Sequence, residues 1–389
     1  MLSVAAGMVA LELVVSARYG FHRDELYFLA CSRHLAWGYV DQPPLVPAVA
    51  WLATHLFGTS ASALRAIPAL AAGGTCVLAG LMARELGGRG KAQLLAALAA
   101  GTSPQVLAAF HLLSTAAFDM FFWAAICFVL LRILRTANQR LWPMVGALCG
   151  LGLLNKLNVL FLVVAVGIGM LLAGRWRMCV NRWSAAGAAI GLAMWSSNIA
   201  WNAEHRWAAV SMLHSLHQEN SGLGPSLGFI PSQLVVVGPA LVVLWLPGLR
   251  GLLRSAFARP LGLAYVALVL MYTVTGGKSY YLAGMYFVLF AAGGVCAEQR
   301  SETREPSRGL GAWPVLIVAG AVVALPLSLP VLPETALAKG PWEGNINKDL
   351  SATTGWSSLV RQVGAVASGL PPRQRQALVV FTGDYGAAG

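Results

Sequence analysis

Long apolar runs separated by short polar gaps make up most of this chain. Eleven runs approach the roughly 17–25 residues that a helix needs to cross a bilayer. They lie near residues 2–17, 62–83, 92–110, 117–134, 141–155, 158–174, 183–200, 229–249, 260–276, 282–297 and 311–332. The pattern predicts an all-α polytopic membrane protein with about eleven transmembrane helices.

The polar gaps alternate between two kinds. Five short gaps hold fifteen of the 27 lysines and arginines: Arg84/Arg89/Lys91, Arg132/Arg135/Arg140, Arg175/Arg177/Arg182, Arg250/Arg254/Arg259 and Arg300/Arg304/Arg308. Short basic loops stay in the cytoplasm. We therefore expect a bacterial-type plasma (inner) membrane protein with a cytoplasmic N-terminus and, after eleven spans, an extracytoplasmic C-terminus. The remaining gaps, which carry most other polar motifs, are expected on the extracytoplasmic face.

Composition supports a membrane protein and explains its net charge. The chain is 57% hydrophobic and 11% charged, whereas ordinary globular proteins carry about 25% charged residues. The formal net charge of +12 is concentrated in the basic gaps, so it indicates orientation among membrane lipids and not a nucleic-acid partner. The six cysteines form no CxxC pair and no zinc spacing, so no disulfide framework or structural metal is predicted.

The first outer segment, residues 18–62, predicts short helices of its own. Residues 25–35 have a helical apolar face, and Pro43-Pro44 then interrupts the chain. Residues 45–56 are apolar enough to lie in the membrane interface. This segment is therefore expected to place interfacial helices beside the outer ends of the spans.

The last part of the chain has a different composition. Apolar residues become scattered beyond residue 332, until a strand-like run at residues 377–381. We expect a transmembrane domain over residues 1–332 and the start of a small extracytoplasmic domain over residues 333–389. That second segment looks truncated and incomplete.

Acidic residues at the outer ends of the runs are the candidate catalytic groups. Asp24 and Glu25 follow the first run, and Asp119 lies at the outer end of the fourth. A carboxylate there can act as a general base on an acceptor hydroxyl or amine, or help to hold a cation. The alternatives are a solvated loop for Asp24 and Glu25, and a helix N-terminal charge for Asp119.

Two lysines are expected at the same level. Lys156 interrupts an apolar stretch, and Lys278 precedes Tyr280 and Tyr281. A lysine at a helix end can simply reach the lipid headgroups. Two lysines grouped with acids and tyrosines favour a site for an anionic group such as a lipid phosphate.

Histidines give weaker signals for metal or cavity sites. His214 and His217 share a face if their segment is helical, and His111 and His205 are candidates to line an outer cavity. A lone HxxH spacing leaves a metal site open without establishing one. No cofactor is indicated with certainty, and a divalent cation is the one alternative left open.

Several segments together resemble the protein-mannosyltransferase-type membrane glycosyltransferases (family 39). They are residues 19–27 (YGFHRDELY), 38–45 (GYVDQPPL), 64–70, 150–156, 277–281 (GKSYY), and Trp201-Asn202 with His205-Arg206-Trp207. In order and spacing these segments cover nearly the whole chain. The resemblance implies a GT-C fold, a helical membrane bundle with interfacial helices in the first outer loop. It also implies an enzyme that takes a hexose or pentose from a polyprenyl-phosphate carrier, usually with inversion, and passes it to a protein, lipid or glycan.

The resemblance also suggests roles for individual residues. Asp24 matches the acidic residue of the family's first-loop motif and becomes the candidate base or acceptor-orienting group, with Glu25 assisting and Asp119 as a second acid. The residues implied to bind the donor phosphate are Arg23, Lys156, Lys278, Tyr280 and Tyr281. The weaker, cavity-lining candidates are Asp41, Gln42, Arg65, His111 and His205. Gln42 is a departure, since some relatives have lysine before Pro-Pro-Leu.

Two other functions are considered. A transporter or flippase of a lipid-linked substrate predicts inverted repeats and charges deep within the spans. No repeat is visible, and apart from Glu12 the charges of the spans cluster at their ends. A catalytically inactive relative is the other alternative, which Gln42 and the short C-terminal segment favour.

Overall fold

The computed structural model describes residues 1–212, 223–303, 312–334 and 348–380, and every regular element in these ranges is a helix. The α-helices up to residue 204 are α1 (Leu2–Val15), α2 (Arg23–Ser32), α3 (Leu45–Phe57), α4 (Ala61–Glu85), α5 (Gly90–Thr102), α6 (Pro104–Phe110), α7 (Thr115–Thr136), α8 (Trp142–Leu153), α9 (Val159–Leu172) and α10 (Arg182–Glu204). Those that follow are α11 (Leu223–Val237), α12 (Val242–Arg254), α13 (Arg259–Thr275), α14 (Tyr286–Thr303), α15 (Ala312–Ser328), α16 (Lys348–Ser351), α17 (Trp356–Gly369) and α18 (Pro372–Gln376). Short 3-10 turns include Ser279–Met285, which leads into α14.

Each predicted apolar run contains a helix or a bent pair of helices. By length and hydropathy, three helices in the described ranges are able to cross a membrane: α4, α7 and Ser279–Glu302. Two bent pairs, α5 with α6 (60°) and α11 with α12 (90°), raise that number to five if each pair is one span. The helices thus agree in position with the eleven runs, while eleven crossings stay a prediction.

The first outer segment forms two helices, as its pattern predicts. A capping box starts α2: the His22 side chain accepts a hydrogen bond from the backbone N–H of Asp24 (3.1 Å), and the Glu25 carboxylate accepts one from the backbone N–H of His22 (2.8 Å). Helix α3 begins after Pro44, where the Leu45 N–H donates to the Leu154 carbonyl at the end of α8 (2.9 Å). The segment is therefore tied to the bundle at both of its helices.

The apolar core lies between α4, α5, α7 and α14, with α12 against α14. Small residues allow these helices to approach closely. At the α12–α14 crossing, Gly248 faces the Leu289 carbonyl and Gly293 faces the Leu244 carbonyl, so the two backbones touch without intervening side chains. All six cysteines are free thiols.

The described part of the C-terminal segment contacts the first outer segment. The Gly20 N–H donates to the Thr353 carbonyl (3.0 Å), and the Tyr19 hydroxyl donates to the Leu332 carbonyl (2.7 Å). Residues 377–380 form a turn and irregular chain, so the strand predicted for residues 377–381 is wrong over these four positions. Residue 381 lies outside the described ranges, as do His214 and His217.

Candidate functional site

A buried ion pair holds the first outer segment in place. The Arg65 guanidinium of α4 donates through Nε to Glu25 Oε1 (2.9 Å) and through Nη2 to Glu25 Oε2 (2.8 Å). Both side chains are almost fully buried, with 1% of Arg65 and none of Glu25 exposed. This two-pronged geometry is the strong form of a carboxylate–guanidinium contact.

The remaining hydrogen-bonding groups of the pair are also used. Arg65 donates to the carbonyls of Ser16 (2.7 Å) and Gly20 (2.8 Å). Glu25 accepts from the backbone N–H groups of His22 (2.8 Å) and Leu113 (3.2 Å). The pair therefore joins the end of α1, the start of α2, α4 and the turn before α7, and the geometry gives Glu25 and Arg65 a positioning role.

The Asp24 side chain, unlike that of the adjacent Glu25, is directed away from the buried ion pair. It is 36% exposed and lies in the first turn of α2. Arg23 Nε is 3.6 Å from Asp24 Oδ1, and His22 Nδ1 is 3.9 Å from Asp24 Oδ2. A carboxylate at a helix N-terminus interacts favourably with the helix dipole, and the partial exposure of Asp24 leaves its carboxylate accessible.

A second polar cluster surrounds Asp119 in α7. Asn158, just before α9, donates from Nδ2 to Asp119 Oδ2 (2.7 Å) and to the Tyr281 carbonyl (3.1 Å). The Tyr272 hydroxyl of α13 donates to Asn158 Oδ1 (2.6 Å). The cluster joins four parts of the bundle and leaves Asp119 Oδ1 buried, with no hydrogen-bond partner among the described residues.

Lys156 lies between this cluster and two aromatic rings. Its Nζ is 4.5 Å from the Tyr281 ring centroid and 4.8 Å from that of Tyr280. It also interacts electrostatically with Asp119. Cations over tyrosine faces are attracted by the ring electrons, so the two rings hold the ammonium group in place, and the Lys156 side chain stays partly exposed.

Tyr280 brings the two clusters into one region. It interacts electrostatically with Asp24, Asp119 and Lys278, and also with Asp349 of α16. Lys278 is exposed and follows the left-handed Gly276 (φ 67°), which ends α13 and turns the chain toward the 3-10 turn. Asp24, Asp119, both lysines and both tyrosines thus lie in one region of the structure, and their roles stay a prediction.

The other candidates lie in separate environments. Asp41 accepts a 2.6 Å hydrogen bond from the Tyr27 hydroxyl, and burial together with this bond raises the pKa of Tyr27. Gln42 is buried. His111 is buried against Glu12 of α1, with 3.2 Å between His111 Nδ1 and Glu12 Oε2. His205 is exposed and stacks on Trp201 of its own helix, with ring centroids 4.0 Å apart.

Sequence reasoning missed two residues of the Asp119 cluster. Asn158 carries three of its contacts, and Tyr272 anchors Asn158 from α13. The sequence offered one signal for Asn158. It is the second asparagine in Asn155-Lys156-Leu157-Asn158, and it stands at the first position of an otherwise apolar run. Buried amides in such places are held by hydrogen bonds.

The described side chains do not form an evident metal site. Within the described ranges, no three His, Cys, Asp or Glu side chains converge closely enough to hold a metal ion. The described residues therefore offer no three-ligand site for a metal ion.

Gly20 provides a test of how the C-terminal segment is docked. A Cβ at Gly20 would lie 2.8 Å from the Thr353 carbonyl oxygen, whereas one at Gly7 would meet nothing within 4 Å. We expect Gly20→Ala to loosen residues 348–354 and to raise their amide hydrogen-exchange rates several-fold. Gly7→Ala is the matched control and is expected to leave them unchanged. Equal exchange in both variants would contradict this docking.

Known proteins with solved structures share this architecture. ArnT from Cupriavidus metallidurans bound to undecaprenyl phosphate superposes with a TM-score of 0.68 at 15% identity, covering 99% of this chain and 82% of that one. The apo form of the same ArnT superposes with a TM-score of 0.66 at 16% identity, covering 94% of this chain and 69% of that one. The apo oligosaccharyltransferase of Archaeoglobus fulgidus superposes with a TM-score of 0.54 at 14% identity, covering 100% of this chain and 63% of that one.

Sequence comparison points the same way over part of the chain. Residues 41–201 match the family model described as dolichyl-phosphate-mannose-protein mannosyltransferase. A comparison with curated protein sequences gave no significant match. The matched segment includes α3 to α9, most of α10, and Lys156. This chain therefore has the GT-C fold of the protein-mannosyltransferase type, as its motifs predict.

Proposed function

We propose that this protein is an integral-membrane glycosyltransferase that moves a sugar from a polyprenyl-phosphate carrier to an acceptor on the extracytoplasmic face. The observation that carries the proposal is the grouping around Tyr280 of a partly exposed carboxylate, Asp24, with Lys156, Lys278 and Asp119. A base and a phosphate-binding group side by side are what transfer from a lipid phosphate requires. The fold adds support, since one similar structure is an undecaprenyl-phosphate complex.

The lysines are assigned to the donor phosphate. Lys156 is held over two tyrosine rings, and Lys278 is exposed beside them. Lysine binds phosphate as a point charge. When the bond between the anomeric carbon and the phosphate oxygen breaks, negative charge grows on the leaving phosphate. Two positioned ammonium groups stabilise that charge, and the carrier leaves as polyprenyl phosphate.

Asp24 is assigned to the acceptor. A hydroxyl or amine of the acceptor attacks the anomeric carbon from the side opposite the phosphate, which inverts its configuration. The acceptor loses its proton to the Asp24 carboxylate as the new bond forms. Arg23 Nε lies 3.6 Å from Asp24 Oδ1, and Asp24 lies in the first turn of α2, so positive charge is close to the carboxylate.

The buried groups are assigned to positioning. The Arg65–Glu25 pair fixes the first turn of α2 and therefore the direction of Asp24. Asp119 and Asn158 connect Lys156, the Tyr281 backbone and α13. A shift of about 1 Å in such groups is enough to lower catalysis strongly.

Lys156→Met tests the phosphate assignment. Removing this ammonium is expected to weaken binding of polyprenyl phosphate about tenfold, which corresponds to about 1.4 kcal/mol. The measurement is equilibrium binding of a labelled polyprenyl phosphate to the purified protein in lipid nanodiscs. Lys91→Met removes an exposed lysine at the start of α5 and serves as control. Equal affinities for the two variants would remove Lys156 from the phosphate site.

The proposed activity is tested by transfer itself. The purified protein in nanodiscs is offered labelled polyprenyl-phosphate hexoses and pentoses together with an envelope extract as the acceptor source. The expected result is label in a new protein, lipid or glycan product. A nanodisc encloses no compartment, so a transporter would give no product in this assay. Binding of the carrier without transfer from any of the donors would favour a catalytically inactive relative.

A further inference from the structure

A second cavity lies between α12 and α14, away from the candidate site. Its volume is about 360 Å³, and it is lined by Pro247, Arg250, Gly251, Arg254, Cys296, Gln299 and Arg300. The close backbone contact of α12 and α14 at Gly248 and Gly293 fixes the distance between its two walls. The cavity is therefore built by packed helices and not by a loop.

Three guanidinium groups face this cavity from both walls. Arg250 and Arg254 are four residues apart, so they lie on one face of α12. Arg300 comes from α14 and interacts electrostatically with the Cys296 thiol. Pro247, Gly251 and Cys296 also line the cavity, and Cys296 Sγ lies 3.6 Å from the Pro247 carbonyl oxygen.

Some arginines at the ends of other helices have acidic partners. Arg132 and Arg135 both contact the buried Glu85, with N–O distances of 3.3 and 2.5 Å. Arg89 is 3.3 Å from Glu302. By contrast, neither Arg250 nor Arg254 has an acidic side chain within 4.0 Å in the part of the chain that the structure describes. Their charge is thus available to a ligand.

The cavity lies at the opposite end of the bundle from Tyr280. Helix α13 begins at Arg259, close after α12, and ends at Thr275, close before the candidate site. Its 17 residues correspond to roughly 25 Å at 1.5 Å per residue. The cavity and the candidate site are therefore about one helix length apart, and a ligand in one does not reach the other.

We propose that this cavity binds the phosphate-bearing headgroup of an anionic membrane lipid. Arginine forks match phosphate oxygens in geometry and charge, and basic pockets between membrane helices hold such headgroups. Leu246, one turn before Arg250 on the same face of α12, is 48% exposed and offers apolar surface to an acyl chain. The combination of a cationic cavity with an adjoining apolar surface favours a lipid over free phosphate.

The test measures lipid retention by native mass spectrometry after exchange into phosphatidylglycerol or phosphatidylcholine. Wild type is expected to retain phosphatidylglycerol, and Arg250→Gln/Arg254→Gln to retain at least tenfold less. Arg300→Gln, which changes the opposite wall of the cavity, is also expected to lower the retention of phosphatidylglycerol. Arg84→Gln/Arg140→Gln removes two exposed arginines elsewhere and is the charge-matched control.

Each outcome decides the proposal. Equal retention by the cavity variants and the control variant would overturn it, because retention would then reflect general surface charge. Competition by millimolar inorganic phosphate with the same affinity as lipid would also overturn it, in favour of a soluble anion. Thermal unfolding of every variant is measured alongside, and a loss of lipid in Arg300→Gln with an unchanged unfolding temperature supports the lipid site. None of these outcomes depends on glycosyl transfer.

Discussion

Replacing Arg65 with methionine is expected to lower the free energy of unfolding by about 3–5 kcal/mol, the usual effect of removing one member of a buried ion pair. The Glu25 carboxylate would stay buried without its charged partner, and the carbonyls of Ser16 and Gly20 would lose their donor. The measurement is denaturant or thermal unfolding of the protein purified in detergent.

The same helix provides the control for this prediction. Arg84 lies near the end of α4 and is exposed, so Arg84→Met is expected to change stability by no more than about 0.5 kcal/mol. The double variant Arg65→Met/Glu25→Leu is expected to recover part of the loss, because an apolar pair needs no charge compensation. Equal stability of Arg65→Met and Arg84→Met would contradict the positioning role of the pair.

Replacing Asp24 with asparagine is expected to lower the rate of sugar transfer about 10²–10⁴-fold, the usual contribution of a general base. Asparagine has nearly the same shape and leaves the His22–Glu25 capping box of α2 in place, but it cannot accept the acceptor's proton. Because the lysines are unchanged, binding of polyprenyl phosphate is expected to stay within about twofold of wild type. Single-turnover transfer and equilibrium binding are measured on the same preparations.

Glu204→Gln separates this effect from a general loss of negative charge. Glu204 is exposed at the end of α10 and belongs to neither polar cluster. Its replacement is expected to leave both transfer and binding unchanged. An Asp24→Asn enzyme that transfers sugar as fast as Glu204→Gln would show that another group takes the proton.

The positions of the helices could be predicted, but the bends inside two of them could not. Residues 92–110 and 229–249 read as single apolar runs, yet each is divided in the structure. Pro104 begins α6, since proline fits the first turn of a helix but ends the preceding one. Gly238 has a φ of 97°, a left-handed value that breaks the pair α11–α12. Hydropathy does not register either change of direction.

The candidate site could be predicted as a set of residue types but not as an arrangement. Asp24 and Glu25 are adjacent, and successive residues of a helix point about 100° apart. One is therefore accessible, while the other meets Arg65, forty positions along the chain. Only the folded chain shows which of the two carboxylates is turned inward.

Uncharged polar residues were the hardest to identify. Asn158 and Tyr272 lie at the edge of or within apolar runs, where the sequence gives no charge to draw attention. Their importance comes from partners far along the chain, 39 positions for Asp119 and 114 between Asn158 and Tyr272. Local patterns contain no information on such pairs.

The most direct test of the central claim is to count carrier released against sugar transferred. Purified wild-type protein in nanodiscs is given a labelled polyprenyl-phosphate sugar and acceptor, and both lipid and acceptor fractions are analysed by mass spectrometry. The account predicts one polyprenyl phosphate released for each sugar that appears on the acceptor, and both products formed about 10²–10⁴-fold more slowly with Asp24→Asn. Intact donor with no sugar on any acceptor, despite saturable donor binding by wild type, would contradict it.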